Sequence, residues 1–420
     1  SHVFGRTGRG VRPGLIWVLP LLRMLAIALA VLAASGQIPA AAAARVGAAA
    51  ELGLDGRLRP VPGVLAIAEA AAQQRLEGLV VAPENAAEAA MAGTIPVLPA
   101  HDLHMAAEIV AGRVVPEPVT YELEAPHTAG IPDLADVRGQ ERARRAVELA
   151  AAGFHSLLMI GPPGSGKTML ARRLPGVMPP PSLEERLEIT RIHSAAGLLE
   201  GTLATGRPFR APHHTASAAA LVGGRSLRPA EVTLAHRGVL FLDELPEFNR
   251  PALEGLRMPL QDGEVVISRA AGSVRLPAGC LLVAAMNPCP CGFDGDPERA
   301  CTCETSRVSA YRGRISGPLA DRFDLRVEMP RRAAHGGAGE ASATVAARVA
   351  KAREQLDAGR PAWCAEATTF LLQATERLLL SGRGRARIAT VAETIAALAG
   401  REQVLEDDVA EAAAYRAERA

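Results

Sequence analysis

The segment of residues 161–168, with the sequence GPPGSGKT, constrains the fold of this chain more than any other stretch. It follows an apolar run, residues 157–160, and precedes a helix-compatible segment, residues 169–174. Its glycines let backbone N–H groups turn inward around a polyphosphate, and the following helix N-terminus adds a partial positive charge there. The sequence therefore predicts a strand, a phosphate-binding loop and a helix. The predicted loop residues are Gly161, Pro162, Pro163, Gly164, Ser165, Gly166, Lys167 and Thr168.

Two side chains of this loop have predicted chemical roles. Lys167 is expected to reach the β- and γ-phosphates of a nucleotide, and Thr168 to hold Mg²⁺. Composition supports the first role, because among 46 basic residues only Lys167 and Lys351 are lysines. A compact ammonium suits a phosphate site differently from a planar guanidinium. The chain uses one of its two lysines at the position where the loop needs one.

An apolar strand ending in two acids, Asp243 and Glu244, predicts the second half of the nucleotide site. Beside the phosphate-binding loop, Asp243 is placed to complete the Mg²⁺ shell with Thr168, and Glu244 to polarise the attacking water. Asn287 ends a further apolar strand and is predicted to orient that water or touch the γ-phosphate. A strand that ends in a solvated turn is the alternative at each position. Together the residues predict hydrolysis of ATP or GTP.

Continuous apolar runs within residues 133–330 predict a parallel sheet covered on both faces, and hence an α/β core. The predicted buried strands are residues 157–160, 239–242, 281–285 and 325–329. Short β-like and helical segments alternate over residues 51–112 and predict a small α/β domain. We interpret residues 113–132 and 331–344 as linkers. Helical periodicity predicts a separate helical domain over residues 345–420.

Eight segments of the chain resemble the AAA+ ATPases of the magnesium-chelatase-like type, and within them the bacterial ComM (YifB-like) subfamily. The likeness extends over about residues 25–420. The segments are residues 136–140 (DVRGQ), 161–168, 207–215 (RPFRAPHHT), 234–248, 267–270 (ISRA), 284–292, 314–318 (RISGP) and 321–324 (DRFD).

The resemblance implies an ATP- and Mg²⁺-dependent AAA+ motor that assembles as a ring, expected to be a hexamer. It implies action on branched or single-stranded DNA with low specificity, similar to a branch-migration helicase of recombination or natural transformation. It identifies Arg322 as the arginine finger supplied to a neighbouring subunit, and Arg383 as the sensor arginine of the helical lid. A metal-chelatase-like motor subunit and a regulatory ATPase that remodels a protein partner are the alternatives.

The N-terminal part departs from the family pattern. Family members carry a longer domain that resembles the Lon protease fold, whereas here only its second half is expected, over residues 25–112. Residues 1–24 do not match, which suggests a truncated or frame-shifted start. The apolar residues 15–34 resemble a signal peptide, but Pro20 and Arg23 interrupt them. A buried helix, a cytoplasmic location and no membrane partner are therefore predicted.

Two segments are candidates for DNA contact. The formal net charge of +1 provides no global attraction to nucleic acid, so any DNA surface must be local. Residues 264–276 predict a hairpin, which in the family points into the ring's pore and presents Arg269 and Arg275. Residues 207–215 add two arginines and two histidines in an irregular stretch. A solvated hairpin and a structural insert are the alternatives.

Four of the six cysteines form a compact pattern of two Cys-x-Cys pairs separated by nine residues. Four thiolates that converge suit Zn²⁺ in a structural site. Packed free thiols and disulfides are the alternatives, and a reducing compartment disfavours the second. The sequence predicts a zinc site at Cys289, Cys291, Cys301 and Cys303.

Overall fold

The computed structural model describes residues 23–417, apart from residues 44, 118, 120, 122–123, 128–129, 200–202, 225–227, 270–271, 332–336 and 338. The predictions for residues 1–22 lie outside the described residues. No described helix has the length and apolarity needed to cross a membrane.

The N-terminal part forms the small α/β unit that the sequence predicts. Its elements are α1 (Arg23–Ala34), α2 (Ala40–Ala43), β1 (Val46–Ala49), β2 (Glu51–Leu52), β3 (Leu58–Arg59), α3 (Val64–Gln73), β4 (Gly78–Val81), α4 (Ala86–Ala90), β5 (Val97–Pro99) and α5 (Leu103–Val110). Strands β1, β4 and β5 pair in parallel in that order, and β2 and β3 form a separate antiparallel pair.

The central part contains the predicted parallel sheet. Its elements are α6 (Glu141–Gly153), β6 (Leu157–Ile160), α7 (Lys167–Ala171), α8 (Leu183–Ala196), β7 (Phe209–Arg210), α9 (Ala218–Val222), α10 (Glu231–Leu234), β8 (Val239–Leu242), α11 (Arg250–Gly255), α12 (Pro259–Asp262), β9 (Glu264–Arg269), β10 (Gly272–Pro277), β11 (Leu281–Met286), α13 (Thr305–Arg312), α14 (Gly317–Ala320) and β12 (Leu325–Glu328).

The five strands of this sheet run in the order β12, β6, β11, β8, β7, and every pair is parallel. Alternate residues of one strand enter different cores, because successive side chains point to opposite faces. Leu157 and Met159 pack with the C-terminal helices, whereas Leu158 packs against the other face. Burial on both faces explains why β6, β8 and β11 read as unbroken apolar runs. Strand β12, at the edge of the sheet, alternates instead, with Leu325 and Val327 buried and Glu328 exposed. Strand β7, only two residues long, has no such signal and was not predicted.

The C-terminal part is helical, as predicted, with one two-residue parallel strand pair inside it. Its elements are α15 (Ser342–Ala358), β13 (Ala362–Trp363), α16 (Ala365–Arg377), α17 (Gly382–Leu398), β14 (Gln403–Val404) and α18 (Glu406–Ala417). These helices share one apolar core with the central sheet, in which Val349, Ile388 and Val391 pack with sheet residues such as Leu157. The core therefore holds the helical part directly against the strand that carries the phosphate-binding loop.

Candidate nucleotide site

The predicted phosphate-binding loop connects β6 to α7, as the sequence requires. Gly164 and Gly166 have φ angles of 79° and 93°, in the left-handed region that favours glycine. A Cβ atom on Gly161 would lie only 2.3 Å from the carbonyl oxygen of Met329 in the neighbouring strand region. The loop therefore needs glycine for two reasons, left-handed backbone at its turn and close approach to β12.

Lys167 folds back over its own loop. Its Nζ donates to the carbonyl oxygens of Gly161 at 2.5 Å and Pro162 at 3.0 Å, and to Asn287 Oδ1 at 3.2 Å. Burial lowers the pKa of Lys167 to about 8, although the nearby Asp243 and Glu244 oppose this shift. A buried ammonium with few compensating charges favours an anionic partner. The lysine therefore lies where phosphate oxygens could replace these carbonyls.

Thr168 and Asp243 meet directly. The Thr168 hydroxyl donates to Asp243 Oδ2 at 2.7 Å, across the 75 residues that separate them in sequence. This contact joins the first turn of α7 to the end of β8, because the carboxyl ends of parallel strands share one edge of the sheet. A hydroxyl and a carboxylate oxygen are ligands that Mg²⁺ accepts. The donor set therefore fits the metal predicted here.

Glu244 follows in an unusual backbone conformation, with φ 52° and ψ 48°. Its N–H donates to Asp243 Oδ1 at 3.0 Å, and its side chain is exposed. The carboxylate does not point freely into solvent, because Glu244 Oε2 lies 3.0 Å from His214 Nδ1. Sequence reasoning assigned His214 to a candidate DNA segment and missed this pairing.

Two supporting residues were also missed. Gln140 donates through Nε2 to the carbonyl oxygens of Ser165 at 3.2 Å and Pro330 at 2.8 Å, so it ties the loop to the end of β12. Tyr311 is buried, and this burial raises the pKa of its hydroxyl to about 12. Gln140 belongs to the DVRGQ segment, whose only signal was family resemblance. The buried tyrosine had no sequence signal.

Arg322 and Arg383 lie together in a different place. They line a pocket of about 810 Å³ with Arg387, Asp321 and Asp324, and among the described residues no member of the phosphate-binding loop lines it. Arg322 donates to Gln261 Oε1 at 2.7 Å. Partial burial and the positive charges of Arg387 and Arg383 lower the pKa of Arg322. Three guanidinium groups around one open pocket form a candidate anion site.

The two candidate DNA segments differ in the exposure of their arginine side chains. Strands β9 and β10 pair as the predicted antiparallel hairpin. The Arg275 side chain is 67% exposed, although Glu264 Oε1 lies 2.6 Å from its Nη1. The side chain of Arg269 lies outside the described part of the chain.

In the second segment both arginines pair with acidic side chains, which fits the alternative of a structural insert: the Arg207 side chain is 7% exposed and the Arg210 side chain 33% exposed. Arg207 is buried and donates to the carbonyl oxygens of Pro179 and Arg237, at 2.7 Å each, and to Glu185. Arg210 makes a two-bond ion pair with Glu231 at 2.7 and 2.8 Å. Buried donors need internal partners, and Arg207 has them. The arginines stabilise the segment, and of its two histidines His213 is exposed and His214 half-buried.

Comparison with known proteins identifies relatives over most of the chain. The profile described as "Magnesium chelatase, subunit ChlI" matches residues 133–336. A second, "Subunit ChlI of Mg-chelatase", matches residues 24–85, and a third, "Magnesium chelatase, subunit ChlI C-terminal", matches residues 360–416.

Three curated relatives align over most of the chain. An uncharacterised protein of Mycobacterium tuberculosis is 44% identical over 427 positions, which cover 93% of this chain and 82% of the relative. The competence protein ComM of Haemophilus influenzae is 40% identical, with 94% and 82% covered. The uncharacterised protein YifB of Escherichia coli is 39% identical, with 94% and 81% covered.

Proposed function

Because the chain belongs to the magnesium-chelatase-like AAA+ ATPases, in the ComM (YifB-like) subfamily, we propose that it is a ring-forming motor that hydrolyses ATP to act on DNA in the cytoplasm. The observation that carries the ATPase part is the convergence of Lys167, Thr168, Asp243 and Asn287 at one sheet edge. These residues come from the ends of three adjacent parallel strands.

In this proposal each residue has a positioning or electrostatic task. Lys167 binds the terminal phosphates with the loop N–H groups. Thr168 and Asp243 would hold Mg²⁺, which would supply charge neutralisation at the phosphates. Glu244 accepts a hydrogen bond from the attacking water once the His214–Glu244 contact has opened. Asn287 holds the Lys167 ammonium in place. Phosphoryl transfer needs little else from a protein, because its barrier falls mainly through placement and charge stabilisation.

The arginine pocket supports a ring. Arg322 and Arg383 project into a space that is separate from the chain's own phosphate-binding loop. If the pocket receives the terminal phosphate of a neighbouring subunit's ATP, both arginines serve a site completed only between subunits. Such a shared site couples hydrolysis in one subunit to the position of the next. The subunit number proposed is six, from the family resemblance.

Action on DNA is supported by the exposed Arg275 on the hairpin and by the relative named as a competence protein. A metal-chelatase-like or protein-remodelling role is the competing function, because the matching profiles carry the chelatase name. The deciding experiment is the ATPase rate of the full chain with forked DNA, four-way DNA, duplex DNA and no DNA. We expect stimulation by branched DNA that weakens steeply as salt rises, since bound counterions are released from phosphates. A rate that no DNA changes would favour the competing function.

A further inference from the structure

The four cysteines of the predicted cluster converge at one point, and we propose that they bind one structural Zn²⁺ that fixes the loop between β11 and α13 against the phosphate-binding loop. All four sulfur atoms lie within 4.8 Å of one another. Cys289 is fully buried, and the other three are half-buried. The ligands are Cys289, Cys291, Cys301 and Cys303.

The distances suit a tetrahedral tetrathiolate site. Cys289 Sγ lies 3.3 Å from Cys291 Sγ and 3.6 Å from Cys301 Sγ, and Cys291 Sγ and Cys301 Sγ are also 3.6 Å apart. Four sulfurs at about 2.3 Å from a tetrahedral Zn²⁺ are roughly 3.8 Å apart. The observed separations are close to this value. A four-sulfur shell leaves no position for water, so the role is structural.

The loop backbone already supports such a site. The N–H of Cys291 donates to Cys303 Sγ, and the N–H of Cys303 donates to Cys301 Sγ, each at 3.4 Å. Hydrogen bonds of this kind stabilise thiolates, the form that binds metal. Between the two cysteine pairs, Asp296 accepts from the N–H groups of Glu298 and Arg299 and closes a tight turn. The chain therefore reverses direction, which places the second cysteine pair beside the first.

Two contacts join this loop to the nucleotide site. A Cβ atom on Gly292, one residue after the first cysteine pair, would lie 2.6 Å from Cδ of Pro163 in the phosphate-binding loop. Arg312, at the end of α13, donates to the Pro288 carbonyl oxygen at 3.1 Å and pairs with Asp294 at 2.9 Å. Pro288 directly follows Asn287. A metal that fixes this loop therefore constrains Pro163 and Asn287 together.

The first test is metal content of the full chain purified without a histidine tag. We expect about one zinc per chain, from the single four-cysteine cluster. A Cys289→Ser and Cys301→Ser double variant should lose it. Cys364→Ser is the matched control, because Cys364 caps α16 through its sulfur and lies outside the cluster. Zinc near zero in the wild type, or zinc retained by the double variant, would overturn the proposal.

A second test remains decisive if the double variant does not fold. Wild-type protein in which Co²⁺ replaces the metal should show intense visible absorption of a tetrahedral centre and sulfur-to-cobalt charge transfer. Weak octahedral absorption without charge transfer would overturn the site. Intact mass after alkylation gives an independent check, because disulfides among the four cysteines would also contradict it.

A separate variant tests whether the cysteine loop constrains the nucleotide site. Gly292→Ala places a methyl group against Pro163 and leaves all four cysteines intact. Gly295→Ala is the control, since its φ of 79° is equally left-handed but its Cβ position faces open space. We expect unchanged zinc in both, and ATP affinity roughly tenfold weaker only for Gly292→Ala, because small displacements at a phosphate site are costly. Equal affinity in the two variants would show that the cluster does not constrain the loop.

Discussion

His214 Nδ1 lies 3.0 Å from Glu244 Oε2, and this contact connects an irregular surface segment to the carboxylate predicted to orient the attacking water. The residues are thirty positions apart and come from the segment after β7 and the end of β8. A carboxylate oxygen held by an imidazole is less available to a water molecule. The contact therefore provides a way for the segment to restrain hydrolysis.

We predict that His214→Ala raises the ATPase rate measured without DNA. Loss of one hydrogen bond worth about 1 kcal/mol corresponds to a rate change of about fivefold. The measurement is phosphate release at saturating ATP. His213→Ala is the control, because His213 Nδ1 bonds to Thr215 Oγ1 at 2.8 Å and not to Glu244. A slower rate for His214→Ala would mean that the histidine supports Glu244 in catalysis instead.

Lys167→Ala and Glu244→Gln should separate binding from hydrolysis. Lys167→Ala removes the ammonium that meets the phosphates, so both ATP binding and turnover should fall to background. Glu244→Gln keeps the side-chain shape and loses only its charge, so it should bind ATP without turning it over. Binding of a fluorescent ATP analogue and phosphate release measure the two effects. Lys351→Ala, at the chain's exposed second lysine, should behave as wild type. Normal turnover in both site variants would refute the ATPase assignment.

Arg322→Ala should retain ATP binding and lose turnover by about a thousandfold, the usual size of an arginine-finger effect. Arg383→Ala should change turnover in the same direction, because both arginines line one pocket. Arg353→Ala is the surface control, since its pairing with Asp357 is an exposed contact one helical turn apart.

Mixing the Arg322→Ala and Glu244→Gln proteins tests whether the site is shared between subunits. Each protein is inactive alone, but an interface that joins an intact Glu244 to an intact Arg322 should recover measurable turnover. Turnover that stays at background in every mixing ratio would contradict a site completed in trans, as would normal hydrolysis by monomeric Arg322→Ala protein.

Acid should destabilise the junction between the sheet and the C-terminal helices. His155 is buried, its Nε2 lies 2.7 Å from Thr394 Oγ1 on α17, and burial lowers its pKa to about 4 from 6.5. Between about pH 4 and pH 6.5, His155 is therefore protonated in the unfolded chain but neutral in the folded chain. Stability contributed by the neutral form is complete above about pH 6.5 and is lost as pH falls toward 4.

The loss is up to about 3 kcal/mol, from 1.36 kcal/mol for each unit of pKa difference. Urea unfolding at several pH values measures it. His155→Gln should flatten the pH dependence, whereas His101→Gln, at a side chain that is 70% exposed, should leave it unchanged. An identical pH dependence in wild type and His155→Gln would contradict this account.

Local sequence determined much of the molecule. The loop at 161–168, the strand ending in Asp243 and Glu244, and the strand ending at Asn287 were each predicted from a few consecutive residues. Their meeting at one edge follows from parallel strand order, so Lys167, Thr168, Asp243 and Asn287 were expected to be near one another. The hairpin and the helical C-terminal part were likewise predicted from short periodic patterns. In each case the sequence pattern and the structural element that it predicts span the same few consecutive residues.

Only the tertiary structure decided which distant side chains pair. The sequence left DNA contact and a structural insert open for the segment of Arg207 and Arg210, whereas folding places Glu185 and Glu231 beside these arginines. Folding likewise brings His214 to Glu244 and groups Arg383 with Arg322. Residue spacing encodes backbone geometry over a few residues, because steric and hydrogen-bonding preferences are local. Long-range ion pairs depend instead on how the packed elements place each charge, and no local pattern specifies that.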